Sequence, residues 1–401
     1  MKKSILILIV VLGSYASILA QPFTKKYIMS YHVCDAACTG FNMHMTHLAE
    51  SNDGSTWTEV PNFVPYLGSV PDVVIRGSKL YLYNPGKVKR YDHATNTWDA
   101  TTSNVTIVDS VGASVQFVDP SAMVDANGNL VLFFLNSTGI AMGQDPAGCG
   151  TSYPCTKYFD SAVEIAGSDG TQFLKTDGHR LAVTLNNSPQ TASDPDIFFD
   201  GTNYIMYVSK GSSTLVYSSA TLHGTYAAIA GLSGAQLTNQ GGIPCGFYDS
   251  VTAKYWTYVH ANASGSTVIR QAIHADFSAA LTTFNTVMSG PILGQPTTTK
   301  TESPGFCENN FTTSYVSLIN SDGIALAYPN PMQRDGFMTI HEPQWQGRTL
   351  EMHDLQGKVL LHQNLEAEDT KIAATNFPLG LCFYRIFGGQ AAPKYGKLIV
   401  Q

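Results

Sequence analysis

Five carboxylate side chains stand beside prolines in a motif that recurs along the chain, and carboxylates grouped in this way can perform acid–base chemistry. They are Asp72, Asp119, Asp194, Asp196 and Glu302. A glycosidic bond is cleaved by two carboxyl groups, one protonated as an acid and the other ionised as a base or nucleophile. Grouping carboxylates raises the pKa of one of them and so supplies the acid. The five positions predict a site for sugar chemistry, provided that the fold brings them together.

Each proline of this motif is expected to open an apolar strand, a position where proline is tolerated. The prolines are Pro71, Pro120, Pro195, Pro244 and Pro304. They alternate with turns that end on an aromatic residue, at Trp57, Trp98, Phe173, Tyr226 and Phe284. The clearest turn, residues 51–57 (SNDGSTW), places Asp and Gly where a tight hairpin needs an acceptor and a positive φ. The five prolines and the five turns alternate strictly along the chain. This pattern predicts an all-β, five-bladed β-propeller with four-stranded blades over residues 21–320.

The order of the repeat also predicts how the ring closes. It begins with an outer hairpin and ends with an inner strand, so the two ends of this region should share one blade. Inner strands of a propeller lead to a central funnel, where the motif carboxylates should meet. The alternative is that each Asp beside a proline only caps its own turn.

The composition excludes several classes of protein. Of the 401 residues, 44 % are hydrophobic, 11 % aromatic and only 13 % charged, which suits neither a disordered nor a coiled-coil chain. The net charge of -7 would repel the phosphates of a nucleic acid, so nucleic-acid binding is not expected. The length is typical of two or three domains.

The first 20 residues have the pattern of a secretory signal peptide, with Lys2 and Lys3 before an apolar run and small residues up to Ala20. The run is shorter than the ~20 residues that a membrane-spanning helix needs. We therefore expect cleavage after Ala20 and export, with no membrane span in the mature chain.

The last segment, residues 325–401, alternates apolar and polar residues with period two and predicts a small β-sandwich of about seven strands. It closely resembles the type A C-terminal sorting domain of the type IX secretion system. The matching motifs are YPNP at 328–331, Asp354 with Gly357, and the terminal KLIVQ. The resemblance implies that type IX machinery carries the protein from the periplasm to the outer cell surface or the medium. The alternative is an immunoglobulin-like adhesion module.

Residues 158–226 resemble the five-bladed propeller glycoside hydrolases of the arabinanase and xylosidase type. The shared features are a Ser-Asp-Gly turn ending at Phe173, an Asp-Pro-Asp strand at 194–196 and a Gly-x-Tyr end at Tyr226. The resemblance implies an inverting hydrolase that acts on an extracellular glycan. By position, Asp72 or Asp119 would be the base and Asp196 the residue that tunes the acid.

The catalytic acid is the weak point of this resemblance. The strand that should provide it, residues 241–245 (GGIPC), has no carboxylate, and Glu302 one blade later is the candidate acid. Asp194, His179 and Arg180 are candidates for binding the sugar. No cofactor is implied, and the histidines show no metal-ligand spacing.

Two other functions remain open. One is a non-catalytic, glycan-binding or adhesive propeller, for which a missing acid Glu is expected. The other is a sialidase-like hydrolase, because SNDGSTW-type turns also occur in sialidases. A sialidase needs three arginines around a carboxylate. The predicted propeller has only Arg76, Arg90, Arg180 and Arg270, and Arg90 precedes an outer turn, so the sialidase is the least favoured of these functions.

The chain has seven cysteines, and export favours their oxidation. The predicted disulfides are Cys149–Cys155 as a short loop, Cys245–Cys307 between adjacent inner strands, and Cys34–Cys38 as a small ring. Cys382 is left over.

Overall fold

The computed structural model describes residues 22–34, 43–141, 144–263, 266–289, 299–311, 327–328, 332, 334, 336–354, 358–373, 375, 377–389 and 393–400. The predicted signal peptide lies outside these residues. The described residues form two compact units. The first consists of those within Met1–Val74, Tyr81–Arg90 and Trp98–Asn309, and the second of those within Ile75–Leu80, Tyr91–Thr97 and Asn310–Gln401. Apart from short 3-10 turns such as Ser233–Ala235, their regular elements are strands, which confirms the all-β class. No helix among them is long and apolar enough to cross a membrane.

Twenty-six strands follow one another along residues 27–308. They begin with β1 (Tyr27–Cys34), β2 (Met45–Ser51), β3 (Thr58–Glu59), β4 (Tyr66–Leu67), β5 (Asp72–Arg76), β6 (Lys79–Asn84), β7 (Lys87–Asp92), β8 (Thr97–Trp98) and β9 (Ser103–Asn104). They continue with β10 (Thr106–Val108), β11 (Ser114–Val115), β12 (Phe117–Val124), β13 (Leu130–Asn136), β14 (Cys155–Glu164), β15 (Gln172–Lys175), β16 (Leu181–Leu185), β17 (Ser193–Phe199) and β18 (Tyr204–Lys210). They end with β19 (Ser213–Ser219), β20 (Ala227–Ala228), β21 (Gln236–Thr238), β22 (Gly242–Asp249), β23 (Lys254–Ala263), β24 (Ser266–His274), β25 (Asn285–Ser289) and β26 (Lys300–Glu308).

These strands form five sheets of four to seven strands. In order of their first chain segment, the sheets run β26-β1-β2-β3, β5-β6-β7-β8, β12-β13-β14-β15-β10-β11, β17-β18-β19-β20 and β22-β23-β24-β25. Short strands flank four of them: β4 pairs with β2, β9 with β7, β16 with β14 and β21 with β19. Strand β26 pairs with β1, so the two ends of this region share the first sheet, as the order of the repeat predicts.

We call β5, β12, β17, β22 and β26 the central strands, because residues in or next to each of them line one common cavity. The sequence motif predicts that the prolines open these strands. Only Pro71 does so, directly before β5, whereas the other four prolines lie inside their strands. The pairing register shifts at each of those four positions. Because such a bulge leaves a residue unpaired, the missing proline N–H costs no ladder hydrogen bond.

The residue before each of these prolines has a positive φ. The angles are 44° at Val70, 52° at Asp119, 49° at Asp194, 44° at Ile243 and 54° at Ser303. This left-handed backbone is unusual for any non-glycine residue and most of all for β-branched valine and isoleucine. The motif is therefore one backbone unit repeated five times, and its side chains arrive at equivalent places in each sheet.

The SNDGSTW turn shows why its Asp and Gly are needed. Asp53 Oδ1 accepts hydrogen bonds from the backbone N–H groups of Ser55 and Thr56, at 2.8 and 2.7 Å. Gly54 has a φ of 71°, and a Cβ atom there would lie 2.1 Å from the ring of Trp256. The turn thus packs against the neighbouring fifth sheet, where no larger residue would fit.

The cysteines follow the predictions only in part. Cys149 and Cys155 form a disulfide, which confirms that pair. Cys34 is disulfide-bonded, and Cys38, its predicted partner, lies outside the described residues. Cys245 and Cys307 are both free thiols, so the predicted bridge between them is wrong. Cys245 is buried, and burial together with the nearby Asp196 raises the pKa of its thiol.

The second unit contains two further sheets. Its strands are β27 (Ala327–Tyr328), β28 (Phe337–His341), β29 (Arg348–His353), β30 (Val359–Asn364), β31 (Asp369–Ala373), β32 (Gly380–Gly388) and β33 (Lys394–Val400). The sheets run β27-β28-β31 and β30-β29-β32-β33. Met338 and Ile340 from the first sheet share one buried core with Leu350 and Ile386 from the second. Residues 329–331 of the YPNP motif and Gly357 lie outside the described residues.

Candidate functional site

The five proline motifs meet around a central cavity of about 20 Å³. Four of the predicted carboxylates, Asp72, Asp119, Asp194 and Asp196, contribute to its lining. Glu302 is adjacent in sequence to Ser303, which also lines it. A cavity of this volume holds about one water molecule, so it has no room for a sugar ring.

The residue that follows the proline makes the same contact in three successive central strands. Asp72 Oδ2 accepts a hydrogen bond from the backbone N–H of Ala122 at 2.5 Å. Ser121 Oγ accepts one from Ile197 at 3.2 Å, and Asp196 Oδ2 accepts one from Gly246 at 2.8 Å. Each side chain therefore binds the backbone of the next central strand. This arrangement differs from the alternative in which each Asp caps its own turn, because Asp72 and Asp196 accept hydrogen bonds from the backbone of a neighbouring strand.

The carboxyls of Asp72 and Asp196 hold their protons unusually well. Burial raises the pKa of Asp72 to about 7, against the opposing effect of its hydrogen bonds. Burial, together with the nearby charge of Asp72, raises the pKa of Asp196 well above its ordinary value. Two buried carboxyls whose charges repel each other cannot both be ionised at low cost, so the pair retains a proton at neutral pH.

Asp119 and Asp194 form a second pair, one residue before their prolines. The backbone N–H of Asp194 donates to Asp119 Oδ2 over 3.4 Å, and Ser193 Oγ donates to Asp194 Oδ2 at 2.6 Å. Burial and the charge of Asp194 raise the pKa of Asp119 well above its usual range. Burial also raises the pKa of Asp194, to about 6, despite the hydrogen bond from Ser193.

Glu302 lies in a different environment from the four aspartates. Its carboxylate accepts hydrogen bonds from His32 Nε2 at 3.2 Å and from Thr267 Oγ1 at 2.8 Å. Burial acts to raise the pKa of Glu302, but the hydrogen bond from His32 and the neighbouring imidazoles outweigh it and lower the pKa to about 2. Glu302 is therefore a carboxylate at neutral pH, whereas the role predicted for it needs a protonated acid.

His32, His44 and Glu302 bring three potential metal-ligand atoms within 4.8 Å of one another. The two imidazole rings are stacked, with centroids 4.1 Å apart. His32 Nδ1 accepts a hydrogen bond from the backbone N–H of Val70 at 3.0 Å, so neutral His32 has its proton on Nε2, the atom that faces Glu302. A metal bound at Nε2 would move the ring proton to Nδ1, where it would face the N–H of Val70. The group fits a histidine–carboxylate hydrogen bond better than a ligand set.

Two further predicted sugar-binding residues lie away from the central cavity. His179 Nδ1 is 2.6 Å from Asp160 Oδ1, and the His179 ring stacks on Tyr158. Arg180 donates to the backbone carbonyl of Asp177. Neither residue contributes to the lining of the central cavity.

A second cavity, of about 420 Å³, is lined by residues of the fourth and fifth sheets and of the loop between them. We call it the polar cavity. Its lining includes Asp194, Ser209, Gln240, His260, Asn262 and Arg270, but neither His179 nor Arg180. Its volume is within the ~300–1,000 Å³ of small-molecule sites. Asp194 lines both cavities, so the polar cavity adjoins the central one.

A pair of glycines shapes the wall of the polar cavity. A Cβ atom at Gly241 would lie 2.4 Å from the His260 carbonyl oxygen, and one at Gly242 would lie 2.4 Å from that of Gly211. Any side chain at either position would therefore collide with backbone. This Gly-Gly pair is the sequence signal that could have pointed to the cavity. The sequence places Arg270 only among the arginines that a sialidase would need.

The polar cavity presents two groups whose hydrogen-bonding capacity is unused by the chain. His260 Nδ1 is buried and has no hydrogen-bond partner among the residues that the structure describes. Burial lowers the pKa of His260, so its ring is neutral at pH 7. Arg270 is partly buried and forms no ion pair or side-chain hydrogen bond with the described part of the chain. The cavity can therefore supply both a charge and directed hydrogen bonds to a ligand.

Comparison with known proteins yields structural similarities at low identity. No family model matches the chain, and no curated protein matches it. A family-43 glycoside hydrolase from Xanthomonas citri, solved with xylose, is 16 % identical with a TM-score of 0.43 and covers 67 % of this chain and 89 % of its own. An endo-arabinase from Bacteroides thetaiotaomicron is 16 % identical with a TM-score of 0.40, covering 63 % and 92 %.

A third similar structure covers more of this chain. It is an arabinoxylan arabinofuranohydrolase from Bacillus subtilis, solved with cellotetraose, at 11 % identity and a TM-score of 0.40, and it covers 92 % of this chain and 89 % of its own. All three names are those of glycoside hydrolases. With TM-scores below 0.5, these similarities do not identify the activity of this chain.

Proposed function

We propose that this chain is an exported, glycan-binding propeller, that its five sheets over residues 27–308 are the five blades, and that the polar cavity is its ligand site. The observation that carries the proposal is the contrast between the two cavities. The central carboxylates enclose about 20 Å³, whereas the adjoining polar cavity offers about 420 Å³. Of these two cavities, only the polar cavity has room for a ligand the size of a sugar.

The lining of the polar cavity suits a ligand rich in hydroxyl groups. Ser212, Gln240 and Asn262 provide hydroxyl and amide groups, which both donate and accept hydrogen bonds. The cavity has no large aromatic wall among the described residues, so binding would depend on hydrogen bonds to the ligand rather than on ring stacking. These properties favour a saccharide over an apolar small molecule.

The test is a glycan array followed by calorimetry with the mature protein. Ser212 is exposed at the hairpin between β18 and β19 and lines the cavity. Ser212→Tyr should obstruct the cavity without touching the core and should reduce glycan affinity at least about tenfold, the effect of losing roughly 1.4 kcal/mol. Thr202→Tyr, at an exposed hairpin that does not line the cavity, is the matched control and should bind as the wild type does. Equal glycan binding by the wild type and Ser212→Tyr would refute the placement of the ligand site in the polar cavity.

Hydrolysis is a second candidate, supported by one specific observation. Asp119 and Asp194 are buried carboxyls with raised pKa values, and Asp194 faces the polar cavity. A carboxyl that keeps its proton near neutral pH is what a glycosidase acid requires. Release of reducing sugar from a bound glycan, lost in Asp194→Asn, would establish hydrolysis. Binding without product release would leave the glycan-binding function alone.

The proposed route out of the cell follows the sequence motifs at both ends. A signal peptide at residues 1–20 would direct the chain to the periplasm. The C-terminal β-sandwich, with its resemblance to type IX sorting domains, would direct it to the outer cell surface or the medium. The separate core of that sandwich supports a role independent of the propeller.

A further inference from the structure

We propose that the polar cavity selects saccharides that bear a carboxylate, such as uronic acids, and that Arg270 binds this carboxylate. The inference rests on the proposed glycan-binding function and names its ligand class. It follows from the lack of a partner for Arg270, from the partners that other arginines of this unit have, and from the other polar groups that line the cavity.

Arg270 lies in β24 and lines the polar cavity, with its side chain partly buried. The acidic group of the lining is Asp194, whose Oδ2 already accepts a hydrogen bond from Ser193 Oγ. Within the described part of the chain no carboxylate pairs with Arg270. A guanidinium keeps its charge at any physiological pH, so it remains available to an anion from outside.

Two other arginines of this unit are bound by the chain itself. Arg90 Nε donates to Asp99 Oδ2 at 2.7 Å, and its Nη1 donates to Asp169 Oδ2 at 3.2 Å. Arg180 donates to the carbonyl of Asp177. Arg270 differs from both, because it has no such partner in the described part of the chain. Its partial burial without a partner costs free energy, and a bound anion would offset that cost.

The shape of the guanidinium defines the anion. Its parallel N–H groups match the two oxygens of a carboxylate and form paired, charge-assisted hydrogen bonds. The neighbouring Gln240 and Asn262 have amides that suit ring hydroxyls. A sugar that has both hydroxyls and a carboxylate uses all of these groups together.

The experiment compares acidic saccharides with their carboxyl-reduced counterparts by calorimetry on the mature chain. The probes are trigalacturonate, an alginate trimer and a hyaluronan tetrasaccharide, each with its neutral, reduced form, and one sulfated disaccharide. We expect at least one acidic probe to bind about tenfold or more tighter than its reduced form, the usual scale of a charge-assisted contact. Arg270→Gln should lower the affinity for that probe to the level of the reduced form, and Arg270→Lys should retain part of the preference.

A matched control separates the local contact from the overall charge. Lys87→Gln removes the same charge from an exposed position outside the cavity and should leave the preference unchanged. Equal affinity for acidic and reduced forms, a preference that persists in Arg270→Gln, or selection of the sulfated probe alone would overturn the inference while leaving glycan binding intact. If no probe binds and the glycan array is also empty, the proposed function itself fails.

Discussion

Asp196 Oδ2 accepts a hydrogen bond of 2.8 Å from the backbone N–H of Gly246, and this contact joins two neighbouring central strands, β17 and β22. Asp72 joins β5 to β12 in the same way. Two of the residues that the sequence predicts to be catalytic therefore hold neighbouring central strands together. Whether they have a chemical role as well can be tested by experiments that separate stability from activity.

Asp196→Asn keeps an oxygen that can accept the Gly246 N–H, and it loses only a carboxyl that burial already keeps from ionising easily. We expect the free energy of unfolding to stay within about 0.5 kcal/mol of the wild type and glycan affinity to be unchanged. Asp196→Ala removes the acceptor and should cost about 1–3 kcal/mol. Urea denaturation measures both. A folded Asp196→Asn protein that has lost glycan turnover would instead assign Asp196 to catalysis.

Glu302→Gln should destabilise the protein more at neutral than at acid pH. The folded-state pKa of Glu302 is about 2, below its ordinary value of 4.5. Its ionised form therefore stabilises the fold above pH 4.5, and this contribution is lost as the pH falls towards 2. The cost of the substitution should be on the order of 2 kcal/mol at about pH 7. Glu308→Gln, an exposed change at the end of the same strand, is the control. A cost of Glu302→Gln that does not vary with pH would contradict the lowered pKa of Glu302.

Asp72→Asn should show the opposite dependence on pH. Burial raises the folded-state pKa of Asp72 from 3.8 to about 7. Its contribution to stability is fully present below pH 3.8 and is lost as the pH rises through 7. Asparagine does not titrate, so the wild type should lose at least about 1 kcal/mol relative to Asp72→Asn between about pH 4.5 and about pH 7.5. Urea midpoints at constant ionic strength, measured for both proteins, check the sign.

Of the cysteines in the described part of the chain, three should react as thiols in the denatured, unreduced protein: Cys245, Cys307 and Cys382. Thiol titration in guanidinium counts them, and peptide mapping identifies them. Replacing both Cys149 and Cys155 with serine should cost about 2 kcal/mol, the entropy of opening a short loop. Recovery of a Cys245–Cys307 peptide without reductant would contradict the free thiols.

Removal of residues 325–401 tests the export route. We expect the truncated protein to fold, because its β-sheets have hydrophobic cores of their own, and to accumulate in the periplasm. Cell fractionation with immunoblotting locates it, and protease resistance reports its folding. Normal delivery of the truncated chain to the cell surface or medium would show that this segment is not the export signal.

Features that depend on local pattern could be predicted from the order of the amino acids. Alternating apolar residues, turns such as residues 51–57 and recurrent prolines are enough to predict an all-β chain and the sheet shared by β1 and β26. The Cys149–Cys155 bridge followed from short spacing. These features need only neighbours along the chain or a regular repeat, and both are visible in the order of residues.

The contents of the site depend on contacts between segments that are far apart in the chain. Asp196 binds Gly246 across 50 residues, Glu302 meets His32 across 270, and Arg270 is left without a partner in the described part of the chain. The volume of each cavity and the pKa of each carboxyl depend on how side chains from different sheets pack. A repeat pattern predicts which residues arrive at the centre, but space, burial and pairing are set by contacts between distant segments, which no local pattern encodes.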